Sequence, residues 1–286
     1  MIRLLILADD FTGGLDTGVQ FASRGISTCV ITDPKADYAA EAGECEVLVV
    51  VAETRHLAPE AAYDAVYAAA GKGAALGIPY IYKKTDSALR GNIGAELTAA
   101  MKACGAETLP FIPALPGMKR VTRGGVHYID GVPVAESVFG RDPFEPVRES
   151  EVARLIALQS DAAVTNPARK DPAGAEGIAV IDAETEEDLR ETGKALAEAG
   201  RLRITAGCAG FAAVLPELLG LTRSGRPEIP QLDEGLFVLC GSVNPITQRQ
   251  LDDGERNGFT RIHIRPEEKL EPDLYRTEKG KQILAG

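Results

Sequence analysis

Cationic excess, a CxxC motif, clustered histidines and long apolar runs are all missing from this 286-residue sequence, and each absence removes a class of function. Lys and Arg number 31 against 42 Asp and Glu, a formal net charge of −11. Nucleic acid and anionic membrane both need clustered cations to neutralise phosphate, so neither is expected as a partner. A small anionic ligand stays open, because a local Lys/Arg cluster can hold one on an acidic protein. The five cysteines (Cys29, Cys45, Cys104, Cys208 and Cys240) are scattered and form no CxxC pair, which predicts buried thiols in a reducing compartment. His56, His127 and His263 are isolated, so a His-based metal site or a Ser-His-Asp triad has no support, and no metal site is expected. No GxxxxGKS/T phosphate loop occurs, and Gly71-Lys72-Gly73 sits in a helical context. No GxGxxG follows the first apolar run, which ranks a nicotinamide-dependent dehydrogenase last among the α/β readings. The run Met1–Leu7 ends at Ala8 in two aspartates, too short to span a bilayer and without a cleavage site. It reads as the first buried strand of a cytoplasmic protein.

What is present is an alternation of short apolar runs with longer segments of helical period, the pattern of a parallel sheet covered by helices. Strands are expected at Arg3–Ala8, Ser27–Thr32, Val47–Val51, Tyr80–Lys83 and Thr108–Ile112. Helices are expected near Leu15–Arg24, Pro59–Leu76 and Ile93–Ala103. Pro113–Ser150 changes texture, with Asp130-Gly131 between Val126–Ile129 and Val132–Val134, which predicts a hairpin inside a long structured excursion. The rhythm resumes with strands at Ala162–Thr165, Ile178–Asp182 and Arg203–Ala206 and helices over Glu186–Ala199 and Gly210–Leu219. The turn-rich stretch Leu221–Gly235 marks a domain boundary. Beyond it, a strand at Leu236–Cys240, a helix at Ile246–Asn257 and a strand at Thr260–Ile264 open a second unit, with a weak helix near the end of the charged tail. A strand, a helix and a strand over about 50 residues do not close a sheet, so this unit reads as unfinished. The expected fold is therefore α/β: a three-layer parallel-sheet domain over 1–225 with an inserted hairpin region, then the start of a second α/β domain over 235–286.

In open α/β sheets, ligands bind beyond the carboxyl ends of the strands. Two polar segments lie at such ends. Asp9-Asp10-Phe11-Thr12-Gly13-Gly14 follows the first strand, and its adjacent carboxylates repel unless hydroxyls, a cation or a metal share them. Lys84-Thr85-Asp86-Ser87 through Arg90-Gly91-Asn92 follows the fourth strand. It offers Lys84 and Arg90 for an anion, Thr85, Ser87 and Asn92 as hydrogen-bonding groups, and Asp86 to accept from a hydroxyl. Glu53-Thr54-Arg55, after the third strand, could supply a third charged contact or form a surface ion pair. Together these predict a site for a small polyhydroxylated acid. Gly207–Gly210 and Gly241-Ser242, each between a strand and a helix, could offer amides to an anion, a weaker signal.

The strings ADDFTGGLDTGVQFASRG (Ala8–Gly25), KTDSALRGNIGAEL (Lys84–Leu97), GGVHYIDGVPVAESVFGRDPFEPVRES (Gly124–Ser150) and GSVNPITQRQ (Gly241–Gln250) resemble the four-carbon acid sugar kinases. That resemblance implies phosphorylation of threonate, erythronate or 3-oxo-tetronate by ATP, on the terminal hydroxyl. It implies a substrate domain followed by a nucleotide domain, with transfer across the cleft. One of Asp9 and Asp10, Arg55 and the Lys84–Ser87 segment would bind the acid, with Arg90, Gly91 and Asn92 as motif residues. Ser242 would be the first ATP-phosphate contact. Asp10 or Asp86 would accept the hydroxyl proton while Mg²⁺ neutralises the transferring phosphate. The family's nucleotide domain continues past Gly286 to a glycine-rich loop absent here, so a catalytically inactive acid-binding module is the alternative. Cys208 also departs from the pattern, where a small hydroxyl residue is expected. A homo-oligomer is compatible with all of this, and oligomeric state is not readable.

Overall fold

The computed structural model describes residues 1–169, 171, 176–221, 235–242, 245–265, 268 and 273–285. The chain divides into two compact units, Met1–Glu228 and Ile229–Gly286.

The first unit is built on a parallel sheet. Its strands are β1 (Leu4–Ala8), β2 (Thr28–Ile31), β3 (Val47–Val51), β4 (Tyr80–Lys84) and β5 (Thr108–Ile112). A small antiparallel sheet follows in the chain: β6 (Arg120–Arg123), β7 (Val126–Ile129) and β8 (Val132–Pro133). Then β9 (Val164–Thr165), β10 (Gly177–Val180) and β11 (Ile204–Gly207) return to the main sheet. Its order is β2-β3-β1-β4-β11-β5-β10-β9. Strands β1 and β3 are fully buried apolar runs, as expected of central parallel strands covered on both faces.

Side chains alternate across the sheet and separate two cores. Leu5 and Leu7 join the core under the helices α3 (Pro59–Ala75), α4 (Ile93–Ala103) and α5 (Val152–Ala157). Leu4 and Ile6 join the other, under α1 (Phe11–Ala22), α6 (Glu186–Glu198), α7 (Ala209–Ala212) and α8 (Leu215–Leu218). The expected three-layer α/β architecture is what forms. A short helix, α2 (Tyr38–Ala42), precedes β3.

Several expected boundaries move for identifiable reasons. Helix α1 starts at Phe11 rather than Leu15, because the Asp10 carboxylate accepts from the Gly13 amide and caps it. Gly14 lets α1 lie close on the sheet, since a Cβ there would stand 2.9 Å from Val51. The single helix expected over Gly210–Leu219 is two short ones, α7 and α8, with Pro216 in the first turn of the second. The hairpin expected around Asp130-Gly131 forms, and β6 adds a strand through a second tight turn at Gly124-Gly125. All four turn residues have positive φ, the mirror-image turn geometry that hairpins favour. Cys29 and Cys45 are not free thiols: pairing of β2 with β3 brings their Cα atoms 6.0 Å apart and a disulfide joins them. Cys104 and Cys208 are buried and Cys240 is exposed.

The second unit carries α9 (Pro245–Arg256) and α10 (Glu278–Ala285). The strands expected at Leu236–Cys240 and Thr260–Ile264 do not form. A strand needs a hydrogen-bonded neighbour, and no other strand exists among the described residues of this unit. Phe237 and Leu239 are left exposed. No helix of the described residues is long and apolar enough to cross a membrane.

Candidate functional site

The connectivity of the sheet creates the site. From β1 the chain turns outward to β2 and β3, whereas β4, the other neighbour of β1, leads away through α4 towards β5. The loops after β1 and β4 therefore diverge at a topological switch point, where a crevice opens. Ala8 and Lys84 are register partners, so Asp9 and Asp10 emerge beside Lys84.

Three carboxylates and three cations interlock there. Lys84 Nζ lies 3.1 Å from Asp9 Oδ1 and 3.2 Å from Asp10 Oδ1. Arg55 Nη2 lies 2.6 Å from Asp9 Oδ2, 2.8 Å from Asp10 Oδ1 and 3.7 Å from Asp86 Oδ1. Arg90 grips Asp86 with a fork, Nε to Oδ2 at 2.8 Å and Nη2 to Oδ1 at 3.0 Å, and reaches Asp142 at 3.4 Å. The cations resolve the carboxylate repulsion apparent in the sequence.

Burial alone would raise the Asp86 carboxyl, but Arg90, Arg55 and Lys84 outweigh it and hold it well below the usual carboxylate range. Asp9 is likewise lowered, burial being overcome by Lys84, Lys83 and Arg55. Lys84 is buried, which opposes its charge, yet Asp9 and Asp10 raise it above the ordinary lysine value. Asp9, Asp86 and Lys84 are therefore charged near neutral pH. Asp10 differs from the other two in exposure, 21% for its side chain against 4% for Asp9 and 8% for Asp86. Its Oδ1 takes Gly13, Lys84 and Arg55, while its Oδ2 accepts no hydrogen bond from the described residues.

The remaining expected site residues occupy different places. Asn92 spends its amide on the carbonyls of Thr54 (2.9 Å) and Leu57 (2.8 Å), which fixes the loop carrying Arg55. Gly91 has φ +87°, and a Cβ there would press on Arg55. Thr85 is wholly buried and its hydroxyl has no partner among the described residues, so it faces the interior. Ser87 is half-buried and bonds to Arg120. Ser242 lies in the second unit, where its carbonyl accepts from the Gln248 side chain at 2.6 Å. A cavity of about 330 Å³ adjoins the cluster on its Arg55 and Arg90 side, with His56, Glu145, Arg148 and Gln159 in its wall.

Sequence reasoning passed over two features. Lys83, fully buried, pairs with Glu96 of α4 at 2.6 Å and donates to the carbonyl of Lys84 at 2.7 Å. Burial holds Glu96 above the usual carboxylate range in spite of Lys83. Two lysines ending an apolar strand were the available signal. The second feature is the docking of the hairpin on the Lys84–Asn92 loop: His127 Nε2 lies 2.9 Å from the Ser87 carbonyl, and Nδ1 lies 3.0 Å from Thr122 Oγ1. His127, on β7 of the hairpin, is completely buried.

Burial, with Arg120 nearby, lowers His127 from 6.5 to about 4, so it is neutral in the folded protein at pH 7. Between these values the unfolded chain binds more protons than the folded one. Stability from this group is therefore present above about pH 6.5 and is lost as pH falls towards about 4, on the order of 3 kcal/mol in full. Denaturant titrations from pH 7 to 4.5 should show this decline, and His127→Gln should flatten it. An unchanged slope in the variant would contradict the assignment.

The family described as the sugar-binding N-terminal domain matches residues 4–215. A D-threonate kinase of Salmonella typhimurium is 36% identical over 91% of this chain and 63% of its own length. A 3-oxo-tetronate kinase of Escherichia coli is 30% identical over 88% and 69%. The chain belongs to the four-carbon acid sugar kinase family. Among other members, a D-erythronate kinase of Heliobacterium modesticaldum is 29% identical over 88% of this chain and 60% of its own. A solved Bordetella bronchiseptica structure, a domain-swapped dimer with bound citrate, is 33% identical with a TM-score of 0.67, over 76% of this chain and 57% of that one. This member of the family spans about 63% of the length of the Salmonella relative. Both strand-end loops lie within the matched residues.

Proposed function

We propose that this protein binds a four-carbon sugar acid (threonate, erythronate or 3-oxo-tetronate) at the crevice between β1 and β4 and takes part in its ATP-dependent phosphorylation on the terminal hydroxyl. The observation that carries the reading is the interlocked Asp9–Asp10–Asp86 and Arg55–Lys84–Arg90 cluster at the switch point. Preorganised carboxylates accept from sugar hydroxyls, and fixed cations oppose the negative charge of acid and phosphate. The kinase names of the relatives supply the reaction class.

Between the two candidate bases, the geometry favours Asp10. Asp86 has both oxygens engaged by Arg90 and is held too acidic to take a proton readily. Asp10 is the more exposed and keeps Oδ2 available for a substrate hydroxyl. Asp86 then acts as an anchor for Arg90 and Arg55. Among the described residues, no group of three His, Cys, Asp or Glu side chains could hold a metal ion. The cluster carboxylates are already matched by cations, which fits a Mg²⁺ that enters with the nucleotide phosphates and neutralises their charge. In this reading Ser242 is a nucleotide-phosphate contact of the second unit.

The test is a phosphorylation assay with D-threonate and D-erythronate, ATP and Mg²⁺, alongside calorimetric binding of the acid. Asp10→Asn should lower turnover by about 10²–10⁴-fold and retain acid binding. Asp86→Asn should weaken acid binding as well. Near-normal turnover in Asp10→Asn would sink its role as base. Acid binding without turnover in the unmodified protein would leave an acid-binding module and remove the kinase reading.

A further inference from the structure

Among the buried and half-buried cations around the crevice, charge accounting leaves one over, whereas Arg148 of the cavity wall is exposed to solvent. Arg55 and Lys84 are matched by Asp9 and Asp10, Arg90 by Asp86 and Asp142, and Lys83 by Glu96. Arg120, on β6 of the hairpin, stands within ion-pair distance of no carboxylate among the described residues. Its side chain donates through Nη1 to the Ser87 hydroxyl and packs on the Phe139 ring, 5.1 Å from its centroid. Arg90 packs on the same ring at the same distance. Two guanidiniums thus share one aromatic ring, and only one of them has a counter-ion. A half-buried cation loses solvation and repels its neighbours unless an anion joins it.

The mount is rigid. Arg120 exchanges backbone hydrogen bonds with Leu115, at 3.2 Å and 2.7 Å, and pairs with Ile129 across the hairpin. His127 ties that hairpin to the Ser87 carbonyl. The hydrogen bond to Ser87 uses one of five guanidinium donors and leaves an edge for a planar bidentate acceptor. Through Ser87, Arg120 is tied to the loop that begins at Lys84.

We propose that Arg120 is the specificity-determining residue that receives the carboxylate of the hydroxy acid, with Ser87 holding it in place. This rests on the acid-binding reading above and assigns the acid's charged end to the hairpin. The hydroxylated end then lies towards Asp10. Arg120 is what separates an acid from the neutral polyol of the same carbon skeleton.

The experiment is calorimetric titration of the full chain with D-threonate, D-erythronate and threitol, for the unmodified protein, Arg120→Gln and Arg120→Lys, with thermal melting of each. Arg120→Gln should weaken the acids by about 10- to 100-fold, leave the response to threitol unchanged and melt close to the unmodified protein. Arg120→Lys, which keeps the charge and loses the fork, should fall between, and it carries the test if the Gln variant does not fold. Acid binding unchanged in both variants would overturn the role of Arg120 and leave the acid-binding site standing. Acid binding reduced only in step with a loss of thermal stability would assign Arg120 to structure instead, and overturn the proposal. No binding of either acid by the unmodified protein would overturn both readings.

Discussion

Arg55→Ala is expected to abolish acid binding, by about 100-fold or more, and to destabilise the first unit by about 3–5 kcal/mol. Both effects have one cause. The Arg55 side chain is 9% exposed and lies within ion-pair distance of Asp9, Asp10 and Asp86. Without it Lys84 is the cation left within ion-pair distance of Asp9 and Asp10, and Asp86 keeps Arg90 and the more distant charges. Leaving a buried charge uncompensated costs far more than losing an exposed ion pair. The pH dependence of the variant checks this account. In the unmodified protein Asp9 and Asp86 lie below the ordinary range, so their contribution is present above about pH 4 and is lost as pH falls further. Arg55 is one of the causes of both shifts, so the variant should lose part of that dependence. Unfolding curves and acid titrations together test the prediction, and loss of binding with unchanged stability would contradict it.

Lys83→Met is expected to cost a similar amount in stability, about 3–5 kcal/mol, although Lys83 lies behind the crevice. Its ammonium is fully enclosed between Glu96 and the carbonyls of Leu7 and Lys84. These carbonyls belong to β1 and β4, the two strands whose ends carry Asp9 and Lys84, so the pair also holds the site in register. Removing Lys83 strands the Glu96 carboxylate. That group already lies above its ordinary value through burial, so its favourable contribution is present at low pH and is lost as pH rises. The deficit of Lys83→Met should therefore shrink as pH is lowered. A double replacement, Lys83→Met with Glu96→Leu, should recover most of the stability at pH 7. A deficit as large in the double variant would show that packing rather than charge is responsible.

The parts of the site readable in the sequence are those in which chemistry sits beside a local structural signal. Asp9-Asp10 and Lys84–Asn92 each follow a buried apolar strand, so their location at the carboxyl edge was accessible from order alone. The Asp130-Gly131 hairpin was accessible for the same reason. What sequence could not supply depends on tertiary placement. Arg120 is 33 positions from Ser87, and nothing local says that the hairpin folds back onto that loop. Lys83 ends an apolar strand, and its pairing with Glu96 arises only when α4 packs on the sheet. In the second unit, the apolar pattern of Leu236–Cys240 suggested a strand, but pattern supplies only a face and not a partner to pair with. Asn92 shows the converse: its residue type suits a ligand, while its amide donates to backbone carbonyls of the loop that carries Arg55.

The most direct measurement is calorimetric titration of the intact chain with D-threonate and D-erythronate in the absence of nucleotide, paired with the same titration of Arg55→Ala. Saturable binding of at least one acid at one site per chain, lost in the variant, is the result predicted for the paired charges at the ends of β1 and β4. No binding of either acid, or binding that survives removal of Arg55, would contradict it.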